Sequence, residues 1–188
     1  MSKIHIVDLS VLDAGQRFDT AQVIVAAFAQ DYPDAWPTVE SALEELDMLE
    51  RDGEAALVAF DADGQPAGMV GALEMYDGNV WEVHPLAVRP DLARQGIGSA
   101  LVTALEARAA QAGVLTLYVG SDDQSATTSL GGLDLYPDVL AHLQAIQDRK
   151  GHPFVFYQKL GFALSGVVPD ANGFGKPDIF LSKRVKRS

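Results

Sequence analysis

The sequence contains no cysteine, which excludes a disulfide framework, a thiolate metal site and a cysteine nucleophile together. Histidine is scarce: His5, His84, His142 and His152 are scattered without a ligand-like spacing, so no metal is expected. Basic residues are outnumbered, with 14 Lys and Arg against 26 Asp and Glu and a formal net charge of −12. Nucleic-acid binding depends on neutralising phosphates with basic side chains, and no nucleic-acid partner is expected. No apolar run approaches the ~20 residues of a membrane span. The N-terminal MSKIHIVDLS lacks the apolar core and small-residue cleavage site of a secretory signal. The expectation is a cytoplasmic protein with no membrane partner.

What is present is a chain of 188 residues, 48% hydrophobic, long enough for one well-packed domain and short for two. One domain over residues 1–188 is expected, closing on a short basic tail at 183–188. The class is α/β, with strand-like and helix-like segments alternating. Ile4 to Val7 reads as an edge strand and Gln16 to Ala29 as a helix, and Thr38 is placed to cap a second helix through TVESALEELDMLE. That second helix carries Glu40, Glu44, Glu45, Asp47 and Glu50 on a face expected mostly to meet solvent. AALVAFDADG and QPAGMVGALEMYDG form a hairpin across Asp-Ala-Asp-Gly. In VWEVHPLAV, Pro85 cannot donate to a ladder and marks a bulge or a splayed edge, which would leave the Leu86 amide free. VLTLYVG is a further strand. The polar connection SDDQSATTSLGGLDLYP is long enough to suggest function, DVLAHLQAIQDRK and HPFVFYQKLGF read as helices, and two strands close the chain.

The segment HPLAVRPDLARQGIGSALVTALEARAA runs from a strand through a glycine loop into an amphipathic helix that stops at Gly113. Gly96 and Gly98 sit where the chain must turn sharply, and the first helical amides, near Ser99 and Ala100, can face an anion. A dinucleotide fingerprint would need glycine at Leu101, and the Gly-Lys-Ser/Thr of a P-loop is missing. The acidic balance is reconciled with an anionic ligand if backbone amides and a few cations such as Arg89 and Arg94 hold it.

The loop RQGIG resembles the coenzyme A signature of the GCN5-related N-acetyltransferases, Gln/Arg-x-x-Gly-x-Gly/Ala, with Ala93 in its first position. WEVHPLAV, GSDD, TTSL, DLYP, HPFVFYQKLGF and GVVPDANGFGKPDIF resemble one branch, the aminoglycoside 6'-N-acetyltransferases. The resemblance is close from the hairpin onward, and is one of type in the first helices, where Trp36 and Pro37 precede the acidic helix. It implies a mixed, mostly antiparallel sheet flanked by helices with splayed central strands, acetyl-CoA as donor, an aminoglycoside amine as acceptor and a homodimer. The coenzyme A site it implies comprises Leu86, Ala87, Val88, Arg94, Gln95, Gly96, Ile97, Gly98, Ser99, Ala100 and Tyr157.

The residues support that chemistry. A primary amine is largely ammonium at neutral pH and cannot attack a thioester until a proton is removed. Glu82, which strand alternation sets on one face with His84 and Leu86 pending a bulge, is the candidate base, directly or through water. The Leu86 amide is the candidate donor to the developing oxyanion. Tyr157 matches the superfamily tyrosine that reaches the sulfur, and His84 matches the family pattern. Trp36, Asp122, Asp123, Asp134, Tyr136 and Asp178 are the candidate acceptor-binding residues, with Asp170 a further one. Carboxylates both attract a polyammonium ligand and accept its hydrogen bonds. Two other readings share these residues: acetylation of another small polyamine or peptide amine, and a non-catalytic acyl-CoA-binding module.

Overall fold

The computed structural model describes residues 4–52 and 55–185, so the basic tail expected at 183–188 lies outside the described residues from 186 onward. The chain divides into two compact units, Met1–Leu115 with Val185–Ser188, and Thr116–Arg184.

The first unit is built on four antiparallel strands, β1 (His5–Asp8), β2 (Ala55–Phe60), β3 (Pro66–Met75) and β4 (Val80–Val88), in that spatial order. The expected hairpin joins β2 to β3. Asp61 makes the turn by accepting the amides of Asp63 and Gln65, both at 3.0 Å. Helix α1 (Ala14–Phe28) begins two residues before the expected start, because Asp13 and Gln16 form a reciprocal capping box. Thr38 caps α2 (Val39–Asp52) as expected, its Oγ1 accepting the Ser41 amide at 3.2 Å. Arg17 of α1 reaches Asp47 at 2.6 Å and Glu50 at 2.8 Å, so part of the acidic face is neutralised by the neighbouring helix. Ile24, Leu46, Leu49, Val58 and Met69 share one buried cluster. Helix α3 (Ile97–Ala112) packs on β2 and β3 from the other side: Leu101 and Ile97 crowd the position a Cβ at Gly68 would take, whereas adjacent Met69 joins the α1–α2 cluster. Strand β2, covered on both faces, is accordingly buried throughout.

The bulge expected at Pro85 is present. Val70 pairs with Leu86 and Ala72 with Val83, so two steps along β3 face three along β4. Gly71 lies against the bulge, where a Cβ would collide with the His84 carbonyl and sit 2.7 Å from a Leu49 methyl. Glycine is required there by close approach.

The second unit holds β5 (Thr116–Asp122), β6 (Ala163–Val168) and β7 (Asp178–Arg184), antiparallel in the order β5-β7-β6, with short helices α4 (Val139–Gln144) and α5 (Phe154–Lys159). The helix expected over DVLAHLQAIQDRK stops after Gln144. Residues 147–149 instead bond to the preceding connection: Gln147 exchanges hydrogen bonds with Ser129, at 2.9 Å each, and the Arg149 amide donates to the Thr127 carbonyl at 2.8 Å. These non-local partners satisfy the backbone better than another helical turn would. Strands flanked by helices make up both units, which is the α/β class expected.

Candidate active site

Burial alternates along β4 through the bulge. Trp81, Val83 and Ala87 are buried, and Glu82, His84 and Leu86 are half-buried. The extra residue divides the face anticipated for the last three: Leu86 pairs with Val70, whereas Glu82 pairs with Leu73 on the opposite face of β3, and that face packs toward the α1–α2 cluster. Helix α2 supplies a partner to it. Glu45 sends one carboxylate oxygen to within 3.5 Å of His84 Nε2, and the other accepts the Trp36 indole N–H at 3.3 Å. The Trp36 ring lies 5.8 Å from the His84 ring and 4.6 Å from Phe28. Glu45 beside it raises the His84 imidazole above its ordinary value, against the opposing effect of burial, and the charge of Glu82 adds to the rise.

The acidic helix face was expected mostly to meet solvent, and Glu40, Glu44, Asp47 and Glu50 do. Glu45 does not, its side chain being 14% exposed. The signal was in the spacing: Glu45 falls three residues after Ala42 and four before Leu49, on the flank those buried residues define.

Beyond β4 the chain makes a short 3₁₀ turn at Pro90–Leu92, adopts left-handed backbone at Arg94 (φ 61°) and again at Gly96 (φ 89°), and enters α3. Ile97, 4% exposed, pins the helix start to the sheet. The amides of Ile97, Gly98 and Ser99 form the first helical turn and have no intrahelical partner. Three features depart from expectation. The Ala100 amide donates to the Gly96 carbonyl at 3.0 Å, closing the helix instead of facing a ligand. Ala87 is fully buried, so it has only backbone to offer. Arg89 pairs with Asp91 at 2.9 Å and Asp61 at 3.1 Å, which neutralises one of the two cations assigned to the anion, while Arg94 and Gln95 are exposed. Arg89, Asp61, Leu92, Gln95, Gly96 and Ile97 line a cavity of about 280 Å³ beside the loop.

The Gly96 backbone sets a testable requirement. Gly96→Val forces a β-branched residue into left-handed backbone, at a cost of roughly 1–2 kcal/mol or a shifted loop. The expected outcome is a raised KM for acetyl-CoA with a smaller change in kcat, read from initial rates at saturating acceptor.

In the second unit, Asp122 and Asp178 face each other as cross-strand partners on β5 and β7. The Asp178 carboxylate lies over Gly120, its Oδ2 3.2 Å from where a Cβ would stand, and Asp122 accepts a short hydrogen bond from Asn172. Asp123 differs from its neighbour. It is 1% exposed and accepts four hydrogen bonds: Thr127 N–H at 2.6 Å, Thr127 Oγ1 at 2.9 Å, Thr128 N–H at 3.0 Å and Thr128 Oγ1 at 2.7 Å. A carboxylate has about four acceptor positions, so none remains for a ligand ammonium. These bonds hold the carboxyl below its usual range despite burial. Of this candidate pair, the Asp123 carboxylate is thus engaged within its own loop, by Thr127 and Thr128.

Asp134 accepts the Tyr136 amide at 3.0 Å in an exposed turn, and Tyr136 is 62% exposed. Asp170 accepts the Gly175 amide at 2.6 Å, which organises the late loop. His152 is buried. Its Nδ1 accepts the Phe154 amide at 3.1 Å, which leaves Nε2 to donate to the Asp122 carbonyl at 3.2 Å. Burial lowers its pKa, and the neutral ring locks the start of α5 to the end of β5. Tyr157, 6% exposed, packs edge-on against Phe156 and Phe162 with centroids 5.0 and 5.4 Å away, and burial pushes its hydroxyl up.

A bulged strand carrying a carboxylate runs here into a glycine-capped helix start, and the chain belongs to the acetyltransferase (GNAT) family, whose model matches residues 21–129. That span runs from α1 through β4 and α3 to Ser129. Among solved structures, the chain is 30% identical to an aminoglycoside 6'-N-acetyltransferase complexed with coenzyme A, with 98% of each chain covered and a TM-score of 0.87. It is 31% identical to the aminoglycoside 6'-N-acetyltransferase from Enterococcus faecium, again over 98% of each chain, with a TM-score of 0.86. A type Ii aminoglycoside 6'-acetyltransferase is 28% identical over 99% of each chain, with a TM-score of 0.69. Comparison with the curated proteins gives no match. Among the described residues no helix is long and apolar enough to cross a membrane, and no group of three or more His, Asp or Glu is placed to hold a metal.

Proposed function

We propose that the chain transfers the acetyl group of acetyl-CoA directly to the 6'-amine of an aminoglycoside, with antibiotic resistance as the consequence. The observation that carries this reading is the run from β4 to α3: Glu82 and His84 are half-buried on a bulged strand, the bulge turns the Leu86 side chain to the opposite face, and the strand leads directly to the left-handed Gly96. The full-length likeness to the two 6'-N-acetyltransferases supports the choice of acceptor.

The loop is suited to the cosubstrate. Gly96 has no Cβ to obstruct a pyrophosphate, and the amides of Ile97, Gly98 and Ser99 suit an anion without a side-chain charge. When bound, acetyl-CoA supplies a thioester carbonyl. Glu82 takes one proton of the acceptor ammonium, directly or through water. The freed amine bonds to the carbonyl carbon, the carbon–sulfur bond breaks, and the second proton of the nitrogen passes through water to the departing thiolate, leaving a neutral amide and free coenzyme A. The Leu86 amide donates to the carbonyl oxygen as negative charge develops there. Asp122 and Asp178 accept hydrogen bonds from acceptor ammonium groups, which also relieves the repulsion of two facing carboxylates. The reading includes Trp36 as an acceptor contact, one domain, a homodimer and a cytoplasmic location.

Tyr157 has the role of donor to the departing sulfur. A thiol titrates near ~8.5, well below a phenol that burial has pushed up. Proton transfer from the phenol to the thiolate is therefore uphill, and Tyr157 gives a hydrogen bond, not its proton. Tyr157→Phe is expected to lower kcat by about 10- to 100-fold, the value of one hydrogen bond to a charged group. The alkaline pH–rate profile of the remaining activity should be unchanged in shape. A profile in which only the parent shows an extra ionisation would overturn the donor-only role.

The test of the function is coenzyme A release with kanamycin, a 6'-hydroxyl aminoglycoside, spermidine and a peptide as separate acceptors. Turnover with kanamycin and none with the 6'-hydroxyl compound is expected. Turnover with spermidine or peptide alone would redirect the acceptor, and none with any would overturn the catalytic reading.

A further inference from the structure

Glu45 is a largely buried acidic group beside β4 that the reaction above leaves without a role. Its side chain is 14% exposed, whereas Asp47 on the same helix is 67% exposed and is paired with Arg17. One oxygen faces His84 Nε2 and the other accepts the Trp36 indole N–H, so a single carboxylate grips the two rings that flank each other at 5.8 Å. Taking a carboxylate out of water is costly unless charge or hydrogen bonds compensate. The imidazole is the group able to supply that charge.

We infer that Glu45 is a positioning residue for acyl transfer, holding His84 in its charged form and fixing its ring, between Glu82 and Leu86 on β4. The inference rests on the acetyl-transfer reading above. The titratable groups acting on His84 are Glu45 from α2 and Glu82 from its own strand, and both favour the imidazolium. The segment from α1 to α2 contributes the Phe28 and Trp36 rings, and β3 contributes the Gly71 backbone, none of which titrates. A fixed cation between the proton acceptor and the oxyanion donor stabilises the negative charge that grows on the carbonyl oxygen. The sign follows from the raised imidazole. The charged form is complete below the ordinary histidine value of 6.5 and is lost as pH rises through the higher folded value, so activity should fall on that side.

Glu45→Gln keeps the volume and can still accept from Trp36, but it removes the charge. The experiment follows the imidazole C–H resonances of the full chain across pH, with His84→Asn assigning the His84 signal, alongside kcat/KM profiles with acetyl-CoA and kanamycin. In Glu45→Gln the His84 titration should move to lower pH, and the alkaline fall in kcat/KM should move with it by the same interval, with KM for acetyl-CoA unchanged. In the His84→Asn background, Glu45→Gln should have no further effect on the rate. Should Glu45→Gln fail to fold, Glu45→Asp, which retains the charge on a shorter arm, should lower kcat while the His84 titration stays above 6.5.

A His84 titration that does not move in Glu45→Gln would overturn the inference. So would one that moves while the rate profile stays fixed, since a purely structural carboxylate would change thermal stability and leave the limb in place. A parent inactive with every amine, but with a titration that still moves, would remove the catalytic role together with the reading it rests on.

Discussion

Glu82→Ala is expected to lower kcat by about 10²–10⁴-fold, the usual contribution of a positioned general base, with KM for acetyl-CoA unchanged and thermal stability nearly so. The first expectation follows from the acceptor: an amine that is mostly ammonium near neutral pH must lose a proton before it can attack, and without Glu82 solvent alone must take it. The second follows from separation of tasks, because coenzyme A is assigned to backbone amides at the start of α3 and not to the strand carboxylate. The third follows from burial. Glu82 is half-buried opposite Leu73 on β3, and its removal leaves neither a cavity nor a stranded partner of the sort behind large stability losses. The measurement is a kcat and KM pair for both substrates, with a melting curve. At high pH, where more of the amine is free, the defect should shrink. Equal kinetics for parent and variant would sink the base assignment; a raised KM for acetyl-CoA with unchanged kcat would place Glu82 in binding instead.

This region was legible in the sequence because its signals are local. Proline inside an apolar strand marks a bulge, two glycines before an amphipathic run mark the turn into a helix, and Asp-Ala-Asp-Gly marks the hairpin. Each depends on a few consecutive residues. The misreadings share the opposite property. The helix expected through Lys150 stops at Gln144 because Gln147 and Arg149 find partners at 127–129, which no local pattern announces. Arg89 looked free for a ligand because Asp61, on a different hairpin turn, becomes its partner only after β2 and β3 fold. Glu45 was hidden differently, by the company of four other acidic residues on a helix whose charge pattern suggested solvent. Only its register against Ala42 and Leu49 separated it from them.

Asp123→Ala is expected to cost stability on the order of 4 kcal/mol, since the two buried donors of Thr128 would each lose a charged acceptor at ~2 kcal/mol. Thr128 is fully buried and Asp123 is 1% exposed, so water cannot readily replace the carboxylate. Asp123→Asn should retain part of that loss, because an amide can accept one pair of bonds but turns N–H groups toward the other pair of donors. The pH dependence has a definite sign. The folded carboxyl lies below its ordinary value of 3.8, so its contribution is complete above that value and is lost as pH falls through the lower folded one. Denaturant melts of parent and Asp123→Ala should therefore differ most above pH 4 to 5 and converge in acid. Catalysis offers the contrast with Asp122. Near-parental kcat in the folded fraction of Asp123→Ala, beside an acceptor KM raised in Asp122→Ala, would assign one aspartate to the scaffold and its neighbour to the ligand. The reverse result, a stable Asp123→Ala with a raised acceptor KM, would overturn that division.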